Sequence, residues 1–245
     1  MPPPKNVIAN ADDFGMSSYI NKAILYSFEK GYINSTSLLV NMNSFDEAVD
    51  IIHGNTFVTN IGVHVNIAEG RPVSNFKQAG YLDKEGNWDT RKINKKLNFL
   101  SSSVKQEFLK EIHAQIDKAL VNNIQLTHLD SHLHIHTLPG FYKLFLQVAK
   151  EYKLKIRIAQ TFSEGSYLKF LYRNYINKGF SKDNSNYSDI FENVEWYLKK
   201  GASNENGKIV ELMFHPFFDK EGNLSDHYDA VEFKKWIDFI EMNKF

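Results

Sequence analysis

The stretch VIANADDFGMSSYINKAILYSFE, residues 7–29, decides how the chain is read. Val7, Ile8 and Ala9 form a short apolar run that stops at Asn10, Asp12 and Asp13, the pattern of a buried strand ending in a polar loop. After Gly15, the residues Ile20, Ala23, Ile24 and Phe28 recur at helical spacing between Ser17 and Glu29, with Ser17 or Ser18 supplying an N-cap hydroxyl. A strand, a loop and an amphipathic helix therefore come in order.

The unit recurs downstream. Thr36–Val40 suits a strand, Ser44–Ile52 a helix starting at Phe45, and Asn60–Val65 a strand whose end carries His64. Lys105–Asn122 has a helical pattern through Phe108, Ile112, Ile116 and Leu120, Leu126–Leu129 is a short strand running into a histidine-rich loop, and Phe141–Tyr152 is again a helix. Then come a strand at Lys155–Ala159, an irregular stretch to about Ser188, a helix near Asp189–Lys199, a strand at Ile209–Phe214 and a helix at Ala230–Met242. Alternating strands and helices imply a parallel sheet, either open and doubly wound or closed into a barrel. Both architectures place their sites beyond the carboxyl ends of the strands. Asp12, Asp13, His64, the Asp130–His136 group and His215 all fall at such ends.

Two segments interrupt the pattern. Gly70–Phe99, with Pro72, Gly80, Gly86 and Trp88, is a long excursion, and Asn174–Ser188 is a second; segments of this kind are usually functional lids or mobile. No internal repeat, low-complexity tract or linker marks a boundary, so all 245 residues are expected to form one catalytic domain.

Hydrophobic residues at 42% and charged residues at 24% are ordinary globular values. Lys plus Arg and Asp plus Glu number 29 each, so no overall field favours a polyanion and nucleic acid is not an expected partner. The basic residues at Lys92, Lys95 and Lys96 and at Lys199 and Lys200 are read as solvated helix faces. The absence of cysteine excludes disulfides, thiolate zinc sites and cysteine nucleophiles, so any metal must use His, Asp or Glu. Residues 1–6 have no apolar signal region, and no stretch reaches the roughly 18 apolar residues a membrane helix needs. A cytoplasmic location without a membrane partner is the expectation.

In Asn10-Ala-Asp-Asp-Phe-Gly15, two adjacent carboxylates end a buried strand, where unpaired charge is costly. Successive strand residues point to opposite sides, so one carboxylate is expected to bind a cation while the other faces a different part of the site and acts as a base. An Asx turn leading into the helix is the structural alternative. Thr127-His-Leu-Asp-Ser-His-Leu-His-Ile-His136 packs four histidines and an aspartate into ten residues. Imidazole suits zinc, and mixed imidazole and carboxylate ligation suits manganese, iron or magnesium. Alternation prevents all four from ligating, leaving the others to support ligands or touch substrate. His64 lies among apolar residues at 61–67, where a core histidine is the alternative. His215 follows a strand, and Pro216 ends that strand and holds the imidazole at the rim, as a general acid requires. With no glycine-rich phosphate loop, nucleophile elbow or His-Glu-x-x-His helix, metal-assisted hydrolysis remains.

Together, Asn10–Gly15, Gly62-Val-His64, Thr127–His132 and Phe214-His-Pro216 resemble the YdjC-like carbohydrate deacetylases, which include chitooligosaccharide deacetylases, in order from residue 6 to about 217. The resemblance implies an α/β fold of the irregular (β/α) barrel type related to polysaccharide deacetylases. It also implies one divalent ion, Mg2+ or Zn2+, held by Asp13, His64 and His132, with Asp12 as general base and His215 as the acid that protonates the leaving amine. Arg157 would orient Asp12 or bind substrate; His128, Asp130, His134 and His136 would support the ligands or contact substrate. Where the family often has Gly after the His-Pro pair, this chain has Phe217, which with Tyr81 and Trp88 is a candidate for stacking on sugar rings. The implied reaction removes an acetyl group from an N-acetylated amino sugar or short chitooligosaccharide. Its alternatives are another metal-dependent amidohydrolase or phosphoesterase, and a saccharide-binding relative without turnover. The expected partners are a small N-acetylated saccharide and, in a homodimer, a second copy of the chain.

Overall fold

The computed structural model describes residues 2–92, 100–161, 166–182, 185–200 and 207–243. Along it run β1 (Val7–Phe14), α1 (Ser18–Glu29), β2 (Ser35–Leu38), α2 (Phe45–Gly54), β3 (Ile61–Val65), α3 (Ser102–Val121), β4 (Leu126–Ser131), α4 (Tyr142–Glu151) and β5 (Lys155–Ile156). There follow α5 (Tyr167–Ser181), β6 (Ile190–Glu192), α6 (Val194–Lys200), β7 (Val210–Phe214), a hairpin of β8 (Pro216–Phe218) and β9 (Leu224–Asp226), and α7 (Ala230–Met242). Seven strands form one parallel sheet in the order β5-β4-β3-β2-β1-β7-β6. Its two ends approach each other: Ile156 N–H donates to Ser185 O and Tyr187 N–H to Ile156 O, both at 2.7 Å, just before the chain enters β6 and pairs with β7. The sheet thus curls into an irregular barrel.

Strand alternation divides the barrel wall. Val7, Ala9 and Ala11 of β1, Val63 and Val65 of β3, Leu129 of β4 and Val210 and Leu212 of β7 join the hydrophobic core beneath the helices, where each buried Val or Leu side chain contributes about 1.5–3 kcal/mol. Many of the alternate residues, which point inward, are polar. Asn10, Ser37, His64, Asp130, Arg157 and Glu211 hydrogen-bond to one another across strands, so a narrow interior that would otherwise strand polar groups satisfies them. Gly62 is required here because a Cβ would lie 2.3 Å from His128 Nε2.

Several sequence expectations need correction. The expected helix at Asp189–Lys199 is β6 followed by α6, because Ile190 and Phe191 extend the sheet beside β7. Tyr167–Ser181 is helical rather than irregular, so Asn174–Ser188 is not a loop throughout: Ile176 and Phe180 are buried, and the Asn177 side chain bonds both backbone groups of Ala159 at 2.8 Å. β5 stops at Ile156, short of the expected Ala159.

The described part of the excursion is packed down. Glu111 accepts from Val73 and Ser74 N–H at 2.9 and 2.8 Å, and Glu107 accepts from Lys77 N–H at 3.0 Å. Tyr81 and Trp88 bury their rings against Phe76 and Phe108, which removes them as sugar-stacking candidates. Lys95, Lys96 and Phe99 lie outside the described residues. Lys199 and Lys200 pair with Glu195 and Glu192. A five-residue repeat that the sequence reading missed, DKEGN at 83–87 and 219–223, closes two turns of the same design, each with the Asp side chain accepting backbone N–H groups and a left-handed glycine. No helix among the described residues is long and apolar enough to cross a membrane.

Candidate active site

The site begins where β1 stops being regular. Asp12 ends the extended run and points inward, and Asn10 Nδ2 donates to its Oδ1 at 2.8 Å. The register with β2 then shifts between Ala11 and Phe14, and Asp13 takes a left-handed φ of 69°, a conformation aspartate tolerates better than most residues. This twist turns Asp13 back toward the side Asp12 faces, so the expected divergence of the two carboxylates does not occur. Gly15, at φ 91°, lets the loop pass Leu39 O, which a Cβ would approach to 2.6 Å; Gly15 N–H donates to Asn21 Oδ1 at 2.7 Å.

The two carboxylates meet different partners. Asp13 Oδ1 lies 3.0 Å from His132 Nδ1 and 3.4 Å from His64 Nε2, and one ligand atom from each of these three buried residues falls within 4.8 Å of the others. The two rings stand 71° apart, so their nitrogens converge on the carboxylate instead of stacking. His64 Nδ1 bonds Asp130 Oδ1 at 2.8 Å, which leaves Nε2 facing Asp13. Burial opposes charge on His64, but Asp130 and Asp12 raise its pKa to about 10.

Asp12 is gripped by Arg157. Nη1 donates to Oδ2 and Nη2 to Oδ1, both at 2.7 Å, while Nη1 also meets Asp130 Oδ2 at 2.8 Å and Nε donates to Glu211 Oε1 at 2.6 Å. Burial works against ionised Asp12, yet the guanidinium holds its carboxyl well below the usual range. Glu211 fares differently: burial pushes it up to about 7 despite Arg157, because that one cation is already shared with Asp12 and Asp130.

The remaining histidines separate. His128 lies buried one inward position before Asp130, stacked on Tyr187 at 4.0 Å and bonded to Ser37 and Thr127; burial lowers it to about 4, so it is a neutral framework residue. His136 packs between Phe145 and Phe180, bonded to Ser131 Oγ at 2.8 Å. Neither is among the residues that line the cleft described next. Leu133 and His134 are both left-handed, at φ 54° and 53°, and both line the cleft. Burial brings His134 to about 4.

The cleft has two lobes, of about 420 and 280 Å³, which share Asp12, His132, Leu133, His215 and Tyr228. Volumes of this order suit a small-molecule ligand. His215 stands where the lobes meet, its N–H donating to Asp226 Oδ2 at 2.5 Å and its ring against Tyr228 at 4.4 Å. Phe217 lines the smaller lobe. Sequence reasoning missed Glu69, 3.7 Å from His132 Nε2, together with Asp226 and Tyr228, which sit on loop and hairpin positions without a periodic signal. It also missed Glu211, although a lone carboxylate inside the apolar strand VELMF was a visible signal.

With this geometry in view, comparison with known proteins is informative. A family model described as YdjC-like protein matches residues 6–238. The chain belongs to the YdjC-like family. Among its relatives, a carbohydrate deacetylase of Brevibacillus brevis is 29% identical, the match covering 89% of this chain and 84% of the relative. One of Clostridium beijerinckii is 30% identical over 86% and 80%. A crystal structure from Enterococcus faecalis, of a protein provisionally described as a cellobiose-phosphate cleavage protein, superposes with a TM-score of 0.67 at 21% identity, covering 88% of this chain and 82% of that one; it bears on the fold alone.

Whether a divalent ion fits this YdjC-like site is decided by its charges. Asp12, Asp130 and Glu211 are buried around the guanidinium of Arg157, and Asp13 is buried next to them against His64 and His132. Without an ion, a proton on His64 offsets part of this charge; once that proton is released, as ligation requires, and with Glu211 neutral, Asp12, Asp13 and Asp130 face one guanidinium, an excess of two negative charges that one divalent ion would match. Asp12, His64 and Asp130 also offer atoms within reach of one another, but Arg157 occupies both Asp12 oxygens, and Arg157, Ser37 and His64 occupy those of Asp130. Asp13, His64 and His132 are the better ligand set.

Proposed function

We propose that the protein is a metal-dependent hydrolase that removes the acetyl group from an N-acetylated amino sugar or short chitooligosaccharide. The observation that carries this is the meeting, in one cleft, of the Asp13, His64 and His132 cluster with an Arg157-held Asp12 and with His215. The curated relatives, described as carbohydrate deacetylases, supply the substrate class.

Asp13, His64 and His132 would hold a divalent cation, which when bound would supply Lewis-acid polarisation of an acyl oxygen and increase the acidity of water there. Asp12 stays ionised and fixed by two guanidinium bonds, with lone pairs left to accept a proton from an attacking water. Its Oδ2 sits 3.9 Å from His64 Nε2, which places the base beside the ligand cluster. His215, on the shared wall of both lobes, gives a proton to the departing amine nitrogen, so acetate and a free amino sugar leave. His134 lines the same cleft and contacts the sugar as a neutral ring. Protein supplied in turn with zinc, magnesium or manganese and incubated with diacetylchitobiose is expected to release acetate only with a divalent ion present. Phosphate release from phosphoesters without acetate release, or saccharide binding without turnover under every metal, would replace this assignment by its alternatives.

A further inference from the structure

We infer, on the metal-dependent reading above, that Glu69 is a positioning residue: its carboxylate accepts the Nε2–H of His132, so that this ring presents Nδ1 to the cation. The two ligand histidines share one design. His64 turns Nε2 toward Asp13 and bonds Asp130 through Nδ1 at 2.8 Å, while His132 turns Nδ1 toward Asp13 at 3.0 Å and leaves Nε2 facing Glu69 Oε1 at 3.7 Å. A neutral imidazole that binds a metal through one nitrogen carries its proton on the other, so the acceptor behind each ring decides which nitrogen is free to ligate. Among the described residues, Glu69 is not in the group whose ligand atoms lie within 4.8 Å of one another. It stands at the other nitrogen of the ring, where it supports a ligand without being one.

The backbone that carries Glu69 is pinned on both sides. Asn66 Oδ1 accepts from the N–H groups of Ala68 and Glu69, both at 3.0 Å, and Asn41 Nδ2 donates to Glu69 O at 2.9 Å and to Arg71 O at 3.1 Å. Asn66 is itself fixed by Gln115, which accepts from its N–H at 2.9 Å and donates to its carbonyl at 2.8 Å. The excursion after Gly70 adds two more bonds: Thr90 Oγ1 donates to Ala68 O at 2.7 Å and Trp88 N–H to Gly70 O at 2.8 Å. Its packing thereby holds the turn from which Glu69 reaches His132. The His132 ring is almost wholly buried, so without an acceptor its Nε2–H would be poorly solvated. Asp130 differs from Glu69 in setting: it is enclosed in the barrel and shared with Arg157, whereas the Glu69 side chain is half-exposed on the wall of the smaller lobe. Removing Glu69 therefore withdraws support from one ring and leaves the barrel interior intact.

The test reads zinc affinity by competition titration of the full chain, without substrate. Glu69→Ala should bind zinc about 10- to 100-fold more weakly, the usual cost of losing such a partner, and Glu69→Gln, whose amide oxygen still accepts from Nε2–H, should fall between the variant and the parent. The Tm of the zinc-free protein is expected to stay within about 2 °C of the parent in both, because the side chain is half-exposed. In the zinc-loaded parent, nitrogen NMR of the His132 ring should find the proton on Nε2 and zinc on Nδ1, the reverse of His64. Zinc on Nε2 of His132, or equal zinc affinity in the parent and Glu69→Ala, overturns the inference; a variant that raises only the KM for diacetylchitobiose falls under the second outcome and marks Glu69 as a sugar contact. Weaker zinc binding by the variant, in a chain whose parent releases no acetate from any sugar, supports the inference and defeats only the deacetylase reading. A parent that binds no divalent ion defeats both.

Discussion

Asp12 and Asp13 are neighbours in sequence, both buried, and differ in almost everything that matters to chemistry. Asp12 continues β1 and meets a guanidinium; Asp13, one residue later at φ 69°, meets two imidazoles. Arg157 fills both Asp12 oxygens with charged donors and keeps that carboxylate ionised without a metal, whereas nitrogens able to ligate a metal surround Asp13. One backbone twist, and no difference in residue type, separates the proposed proton acceptor from the proposed ligand.

The largest expected effect tests the Asp13 half. Asp13→Ala or His132→Ala removes one of the three proposed ligands, so bound divalent ion measured by elemental analysis should fall from about one per chain to below a tenth, with acetate release at background. Asp12→Asn should keep the ion while kcat falls about 10²- to 10⁴-fold, the usual worth of a positioned general base. Equal ion content in all three variants would erase the distinction between the two aspartates.

That distinction was only partly legible in the sequence. The strand–loop–helix pattern from Val7 to Glu29 fixed where the carboxylates lie, and alternation of elements implied the parallel sheet, because both signals are local and periodic. The bulge at Asp13 was not legible, since strand alternation alone sends successive side chains apart and only pairing with β2 reveals the register shift. The convergence of Asp13, His64 and His132 came from the family resemblance, and the Arg157 contacts with Asp130 and Glu211 could not be read at all, because residues tens of positions apart meet only once the barrel curls. Tyr81 and Trp88 misled for the opposite reason: aromatic residues in a long excursion look available to a ligand until Phe76 and Phe108 are seen covering them.

A smaller effect is expected beneath both aspartates. A methyl at Gly62 would collide with the His128 ring, which Tyr187 backs on its other side and which cannot swing away without breaking its bond to Ser37. Gly62→Ala should therefore cost about 1–3 kcal/mol of stability and lower Tm by about 2–4 °C per kcal/mol, while ion content per folded chain stays unchanged. Loss of the ion at full stability would mean that this layer positions His64 directly rather than supporting the barrel.

The smallest effect sharpens the comparison by extending it to a third carboxylate on the same guanidinium. Burial raises Glu211 from 4.5 to about 7, so between those values the folded chain holds a proton that the unfolded chain has released. Stability from this group is complete below about pH 4.5 and is lost as pH rises through about 7, a swing on the order of 3 kcal/mol. Asp12, held low by the same Arg157, has the opposite sign: its contribution is present at neutral pH and fades only on acidification below the ordinary carboxylate range. Glu211→Gln keeps an acceptor for Arg157 Nε but cannot titrate, so urea denaturation at pH 5, 6, 7 and 8 should show the decline across pH 5–7 flattened relative to the parent, with the acid limb retained. Parallel curves would show that Glu211 is ionised throughout. In that case a fourth ionised carboxylate would join the group around Arg157, and the three negative charges left uncompensated would be more than one divalent ion supplies.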